Sequence, residues 1–373
     1  MSRVLLAVVL ALAGCVSAAP SAPPAAPTAE APPAAPPSAP STPDPETAGV
    51  YLERGQVLLA RGEMAAAATA LREAVRRDPD LVPARAGLGQ ALYALGDLDA
   101  AVEELRAALR RRPEALDTRL ALARALVARQ EWSAAREELD RVLTAQPERV
   151  DALYALGVVR YAQRNVPGAI DAYRRVLAAD PRQQDARYNL ALMLKLSRRE
   201  AEATPEFVTA AEAGHARAQY FAGTAYAAGL GVERRLPAAV AWWFRAAEQG
   251  VSEAEEALAE LRQVALGRSR RPPADRQAAE QAFSDYRAAL WQDFPEVAAN
   301  GDDTVGGALL RQGRVREAVS VLIREASALS PSALRRLETL YEEGVDGQLP
   351  AHDARILGYL EGAAAEGLRP PGR

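Results

Sequence analysis

The 373-residue chain is 49% hydrophobic but only 5% aromatic, and its 45 basic and 49 acidic residues leave a net charge of −4. That near-balance gives no basic footprint for nucleic acid, and two histidines with one cysteine leave little material for a metal centre or a nucleophilic triad. Alanine fills 84 positions and Lys195 is the sole lysine, so the composition predicts an all-α chain whose helices approach closely across thin cores.

The chain opens on Arg3, an apolar run from Val4 to Ala13, and the sequence Leu12-Ala13-Gly14-Cys15. The run is shorter than the roughly 20 residues needed to cross about 30 Å of hydrocarbon, so residues 1–14 read as an export signal. Leu-Ala-Gly-Cys resembles the lipobox of bacterial lipoprotein signals. The resemblance implies cleavage before Cys15 and a diacylglyceryl thioether on its sulfur, which holds the protein to a lipid bilayer. The alternative is an ordinary signal cut after Ala18 or Ala19, with Cys15 discarded. Val16 after the cysteine, rather than Asp, points by analogy with Gram-negative sorting to the outer membrane, facing the periplasm. Residues 15–46 then form a tether of Ala, Pro, Ser and Thr with no large apolar side chain to build a core. About 30 residues at roughly 3.1 Å each give it a reach on the order of 90 Å.

Repetition follows. Pro79, Pro113, Pro147 and Pro181 are spaced by 34, as are Ala67, Ala101, Ala135 and Ala169. A small residue stands twelve before each alanine (Gly55, Gly89, Ala123, Gly157), and Leu71, Leu105, Leu139 and Tyr173 stand four after. A 34-residue period is that of a helix–turn–helix unit: the small residue lets two helix axes approach, the residue four beyond the alanine fills the gap, and proline ends the second helix. Gly62 and Gly96 sit where a left-handed turn is needed, while copies three and four carry Gln130 and Arg164 there. The units are identified as tetratricopeptide repeats. The resemblance implies a right-handed helix–turn–helix solenoid over 47–200.

Residues 210–250 resemble a Sel1-like repeat, carried by Ala218, Tyr220, Gly223, Tyr226, Gly229, Gly231, Trp242, Ala246, Ala247 and Gly250. The Sel1-like region is taken as 201–266, with Val251–Val264 as the first helix of an interrupted unit. Residues 267–274 (GRSRRPPA) break the pattern, and a helix is expected at 275–292. From 304 the offsets of Gly306, Gly313, Ala318 and Leu322 repeat those of Gly55, Gly62, Ala67 and Leu71, and 337–367 resembles a second Sel1-like unit. The span 267–373 is thus expected to be a degenerate repeat region.

No catalytic, metal or cofactor site is expected. His215 lies in a turn, His352 has no nucleophile or metal partner in sequence, and the glycine pairs lack a third glycine and a preceding strand. Recognition is left to a surface. In tetratricopeptide arrays the first helices line a concave groove, which here presents Leu52, Gln56, Leu59, Ala86, Gln90, Tyr93, Leu120, Arg124, Val127, Tyr154, Val158, Tyr161, Tyr188, Leu192 and Lys195. The family's carboxylate clamp of Lys, Asn and Arg is absent. Gln90, Tyr93, Arg124, Tyr154, Tyr161, Tyr188 and Lys195 are the candidate partner-contacting residues, tyrosine offering area and a polar tip at low entropic cost. The bland alternative is that Tyr93, Tyr154 and Tyr188 only pack neighbouring helices. The function expected is a non-enzymatic scaffold, without cofactor. It would be anchored to the cell envelope through acylated Cys15 and would bind envelope proteins of a secretin or pilus, polysaccharide-export or barrel-assembly machine. The alternative is an adaptor that binds glycan or peptidoglycan, or regulates an envelope enzyme.

Overall fold

The computed structural model describes residues 45–297 and 302–368; the signal, Cys15 and the tether up to residue 44 lie outside them, and Pro45 and Glu46 belong to the first helix. Eighteen helices and no strand occur among the described residues, with a lone bridge between Val345 and Leu349. The chain divides after Met193 into two compact units.

The first unit is built from helix pairs. Helices α1 (Pro45–Ala60) and α2 (Met64–Arg77) form the first copy, α3 (Val82–Leu95) and α4 (Leu98–Arg111) the second. Then come α5 (Leu116–Ala128) with α6 (Trp132–Ala145), and α7 (Val150–Ala162) with α8 (Val166–Ala179), followed by α9 (Gln184–Leu196). Each pair closes by the same turn. The N–H groups of Glu63, Asp97, Glu131 and Asn165 donate back to Leu58, Leu92, Leu126 and Arg160 carbonyls at 2.8–3.0 Å. That bond needs a left-handed residue just before it, and Gly62 (φ 77°) and Gly96 (φ 82°) supply it. Gln130 (φ 62°) and Arg164 (φ 61°) adopt the same conformation at a cost of roughly 1 kcal/mol each. Departure from glycine therefore leaves the turn intact and adds a small strain.

The expected close approach is present. A Cβ on Gly89 would lie 2.5 Å from Leu105 Cγ and 3.2 Å from the Ala101 carbonyl oxygen, and one on Gly157 would lie 2.6 Å from the Tyr173 ring. Leu71, Leu105, Leu139 and Tyr173 are fully buried, each filling the gap beside the small residue of its own copy. The prolines have a second role that their spacing does not reveal. Three of the four carbonyls accept from arginines of the next first helix: Arg85 on Pro79 (2.6 Å), Arg119 on Pro113, and Arg187 on Pro181 (2.9 Å); the Pro147 carbonyl accepts instead from Arg175 of the second helix α8 (2.7 Å). Arg85 and Arg119 also pair across to Glu104 and Glu138 of their partner helices.

The second unit contains α10 (Glu200–Glu212), α11 (Ala216–Ala228), α12 (Leu236–Glu248), α13 (Ser252–Ala265) and the long α14 (Pro273–Asp293). Helices α15 (Val305–Arg311), α16 (Val315–Ser327), α17 (Pro331–Glu343) and α18 (Ala354–Ala365) complete it. Helix α14 begins two residues before the expected start, since Pro273 suits a helix's first turn, where no amide partner is needed. Gly223 takes the Trp243 ring (2.5 Å from a built Cβ), and Gly306 takes Leu322, so the glycine-on-large-residue contact recurs here. The N–H groups of Val305 and Gly306, at the start of α15, donate to the buried Glu325 carboxylate at 2.7 and 3.1 Å. Burial holds that carboxyl above the usual range, against the pull of the two amides.

The basic break at 267–274 has a structural task. Arg262 of α13 grips the Glu366 carboxylate with two bonds (2.7 and 2.8 Å), and Arg268 donates to the Glu366 and Gly367 carbonyls at 2.9 Å. These bonds pin the end of α18 to α13, so residues on both sides of the break belong to one packed unit.

Candidate partner-binding groove

Within the first unit the first helices of successive copies lie side by side, α1 by α3, α3 by α5 and α5 by α7. A 34-residue period therefore converts three positions of one helix into three rows across the array. The central row is Gln56, Gln90, Arg124, Val158. Its first three members are exposed, while Val158 is buried at 3% exposure, so the row is open over the first three copies and closed at the fourth. One flank is Leu59, Tyr93, Val127, Tyr161, all half-buried. Leu59, Tyr93 and Val127 pack by their inner faces on the core. The other flank is Leu52, Ala86, Leu120 and Tyr154, of which Leu120 is only 3% exposed.

The candidate residues therefore differ in what they offer. Gln90 and Arg124 reach solvent; Tyr93, Tyr154 and Tyr161 show part of their rings. Tyr188, in the same register as Tyr154, is 7% exposed and contributes to packing instead. Lys195 falls past the division, in the second unit, where its Nζ sits 4.3 Å over the Phe221 ring. Burial pulls its ammonium below the usual lysine range, against the favourable charge of Glu200.

Tyr154 is positioned by a residue that periodicity alone does not single out. Asn189 is 2% exposed and donates its Nδ2 to the Tyr154 hydroxyl at 3.0 Å. Tyr154 also stands edge-on to Tyr173, with centroids 5.8 Å apart at 64°. Its ring is thus held in place from two sides within the first unit. The signal for Asn189 was a buried-register amide in an otherwise apolar stripe.

Charge at the rim is internally matched. Arg124 lies 3.5 Å from Asp151, and Arg149 bridges Asp117 (2.6 Å) and Asp151 (3.0 Å). So neutralised, the surface offers shape, aromatic area and hydrogen bonds rather than net charge, interactions with little salt dependence. The second unit has an open pocket of about 370 Å³ lined by Asp303, Leu310, Ser332, Arg335, Arg336 and Leu340. Arg336 there is already paired to Asp302 (2.7 Å) and Asp303 (3.4 Å). The histidines have structural work: His215 Nδ1 caps α11 by accepting from Ala218 N–H at 3.1 Å, and His352 stands edge-on to Tyr341. No group of three metal-ligating side chains occurs among the described residues, and no described helix is long and apolar enough to cross a membrane.

A helical array with a 34-residue period and a side-chain-lined inner face defines a repeat protein of the interaction class. The tetratricopeptide-repeat family model matches residues 43–82, 52–115, 86–150, 120–183 and 154–214, and this stretch is a tetratricopeptide repeat array. No curated protein matches the chain. Among solved structures it is similar to MamA (residues 41 to the end) from Desulfovibrio magneticus RS-1, at 24% identity over 45% of this chain and 94% of that one, TM-score 0.43. It is also similar to a crystal structure of MamA protein, at 24% identity over 47% of this chain and 96% of that one, TM-score 0.42.

Proposed function

We propose that the protein is a non-enzymatic scaffold of the bacterial cell envelope, held to a membrane by lipidated Cys15 and binding a protein partner in the groove of its first unit. The observation that carries the binding half is the open row Gln56–Gln90–Arg124 flanked by Tyr93 and Tyr161, with Tyr154 pre-positioned by Asn189. Preset aromatic rings beside solvent-facing amides bind an extended chain without first ordering it. The anchoring half rests on the Leu12-Ala13-Gly14-Cys15 motif, and the outer membrane facing the periplasm follows from Val16. Partners of this chemistry include components of secretin, pilus, polysaccharide-export or barrel-assembly machines.

We further read the helix pairs around 210–250 and 337–367 as Sel1-like units. Two features support this: the left-handed helix cap at Gly229 (φ 71°), and the inter-helix loop that follows it and packs on α10. The experiment has two arms. Cys15→Ser is expected to abolish fatty-acid labelling and release the protein from the membrane fraction; unchanged labelling overturns the anchor. Tyr93→Ala/Tyr161→Ala is expected to reduce recovery of co-purified envelope protein at least tenfold, with folding unchanged by circular dichroism; wild-type recovery overturns the groove.

A further inference from the structure

Helix α1 begins at Pro45, where the proline-rich segment ends, and α1 carries the first members of the groove rows, Leu52, Gln56 and Leu59. The described chain thus begins on the helix that carries the open end of the groove. The segment holds ten prolines and two charges, Glu30 and Asp44, with no aromatic residue. Such a chain favours the polyproline II conformation, which has no internal hydrogen bonds and presents unpaired carbonyls around its axis. Its prolines have no N–H, so the surface that suits it supplies donors and flat aromatic faces rather than acceptors.

The open part of the groove is of that kind. Gln56, Gln90 and Arg124 offer exposed donor groups in a row, Tyr93 offers a half-exposed ring beside Gln90, and Tyr161 continues that flank where Val158 closes the row. Net charge matters little on either side, since Arg124 is matched by Asp151 and the segment carries only two acids. Length is sufficient: 29 residues at about 3.1 Å each reach on the order of 90 Å. Four helix pairs at interaxial spacings of about 10 Å are shorter than that.

We infer that residues 16–44 dock in the groove of the first unit, so that the chain occupies its own binding site until a partner displaces the segment. This rests on the groove reading above and adds an occupant and a form of regulation to it. Docked, the segment shortens the tether and blocks the groove; released, it opens the groove and extends the reach. A tether of this length holds its ligand near millimolar effective concentration, so an intrinsic dissociation constant near 100 µM gives about 90% occupancy. The same arithmetic weakens an external ligand about tenfold.

The test uses a fluorescent peptide of residues 16–44 and the full chain carrying Cys15→Ser. A second full-length variant replaces residues 20–43 by Gly and Ser at equal length, leaving the described residues unchanged. The replaced variant is expected to bind the peptide about tenfold more tightly than the parent, and Tyr93→Ala/Tyr161→Ala in it is expected to abolish that binding. Equal affinity for parent and replaced variant, no saturable binding by the replaced variant, or binding indifferent to the tyrosines each overturns the inference. Its failure leaves envelope-protein recovery with the tyrosine variants untouched, so the two readings are judged apart.

Discussion

Gly157→Ala is expected to lower the stability of the first unit by about 2 kcal/mol, although alanine is the better helix former by roughly 1 kcal/mol. The new methyl would lie 2.6, 2.7 and 3.0 Å from three atoms of the Tyr173 ring. Tyr173 is fully buried and stands edge-on to Tyr154, so the ring has nowhere to retreat. Copy three holds the two side chains together as Ala123 with Leu139, both fully buried, although a Cβ on Gly55 or Gly89 would meet the leucine of its own copy at 2.4–2.5 Å. Gly157→Ala/Tyr173→Leu, which copies that pairing, is therefore expected to recover more than half of the loss. Denaturant titration of the two single variants and the double variant checks this. A single-variant loss that the double variant does not repair would place the cause elsewhere. The effect reaches the proposed binding groove as well, because displacing Tyr173 disturbs the ring that Tyr154 presents to it.

In the second unit the largest effect is expected at Gly231, where Gly231→Ala costs about 2–4 kcal/mol. Two penalties combine. The residue is left-handed (φ 69°), and its Cβ would meet main chain: the Glu200 carbonyl carbon at 2.6 Å and Ala201 Cα at 3.0 Å. Backbone at the start of a helix does not yield as a flexible side-chain end does. The loop is also held there by the Thr204 hydroxyl, which donates to the Leu230 carbonyl at 2.6 Å. Gly250→Ala isolates the first penalty, since Gly250 is left-handed (φ 80°) but a Cβ there meets nothing within 4 Å. That variant is expected to lose only about 1 kcal/mol. Equal losses at both positions, measured by thermal melts, would show that the close approach is not what fixes Gly231.

How much of this could be read from the chain depended on the distance between the residues involved. Offsets of 12, 16 and 34 residues are local, so Gly55 with Leu71 and the prolines at 79, 113, 147 and 181 were legible as repeat units. The turns at Gln130 and Arg164 were legible only as departures; that they keep the glycine geometry follows from a hydrogen bond, which no residue type announces. Arg262 and Glu366 are 104 positions apart, and nothing periodic links them, so the sequence at 267–274 shows only a break in the repeat pattern. In the groove, register fixed the direction in which a side chain points, but not how much its neighbours cover. Tyr154 and Tyr188 share a register yet differ in exposure, and Val158 closes a row that Gln56, Gln90 and Arg124 leave open.

The claim that the open rows of the first unit are the binding surface is tested most directly by site-specific photo-cross-linking in cells. Photoreactive phenylalanine analogues would replace Tyr93 and Tyr161 in the groove, and Glu103 and Glu137, exposed on the second helices, as the opposing pair. The proposed function predicts adducts with envelope protein from positions 93 and 161 at several times the yield from 103 and 137. Equal yields from the two faces, or adducts only from 103 and 137, would contradict it.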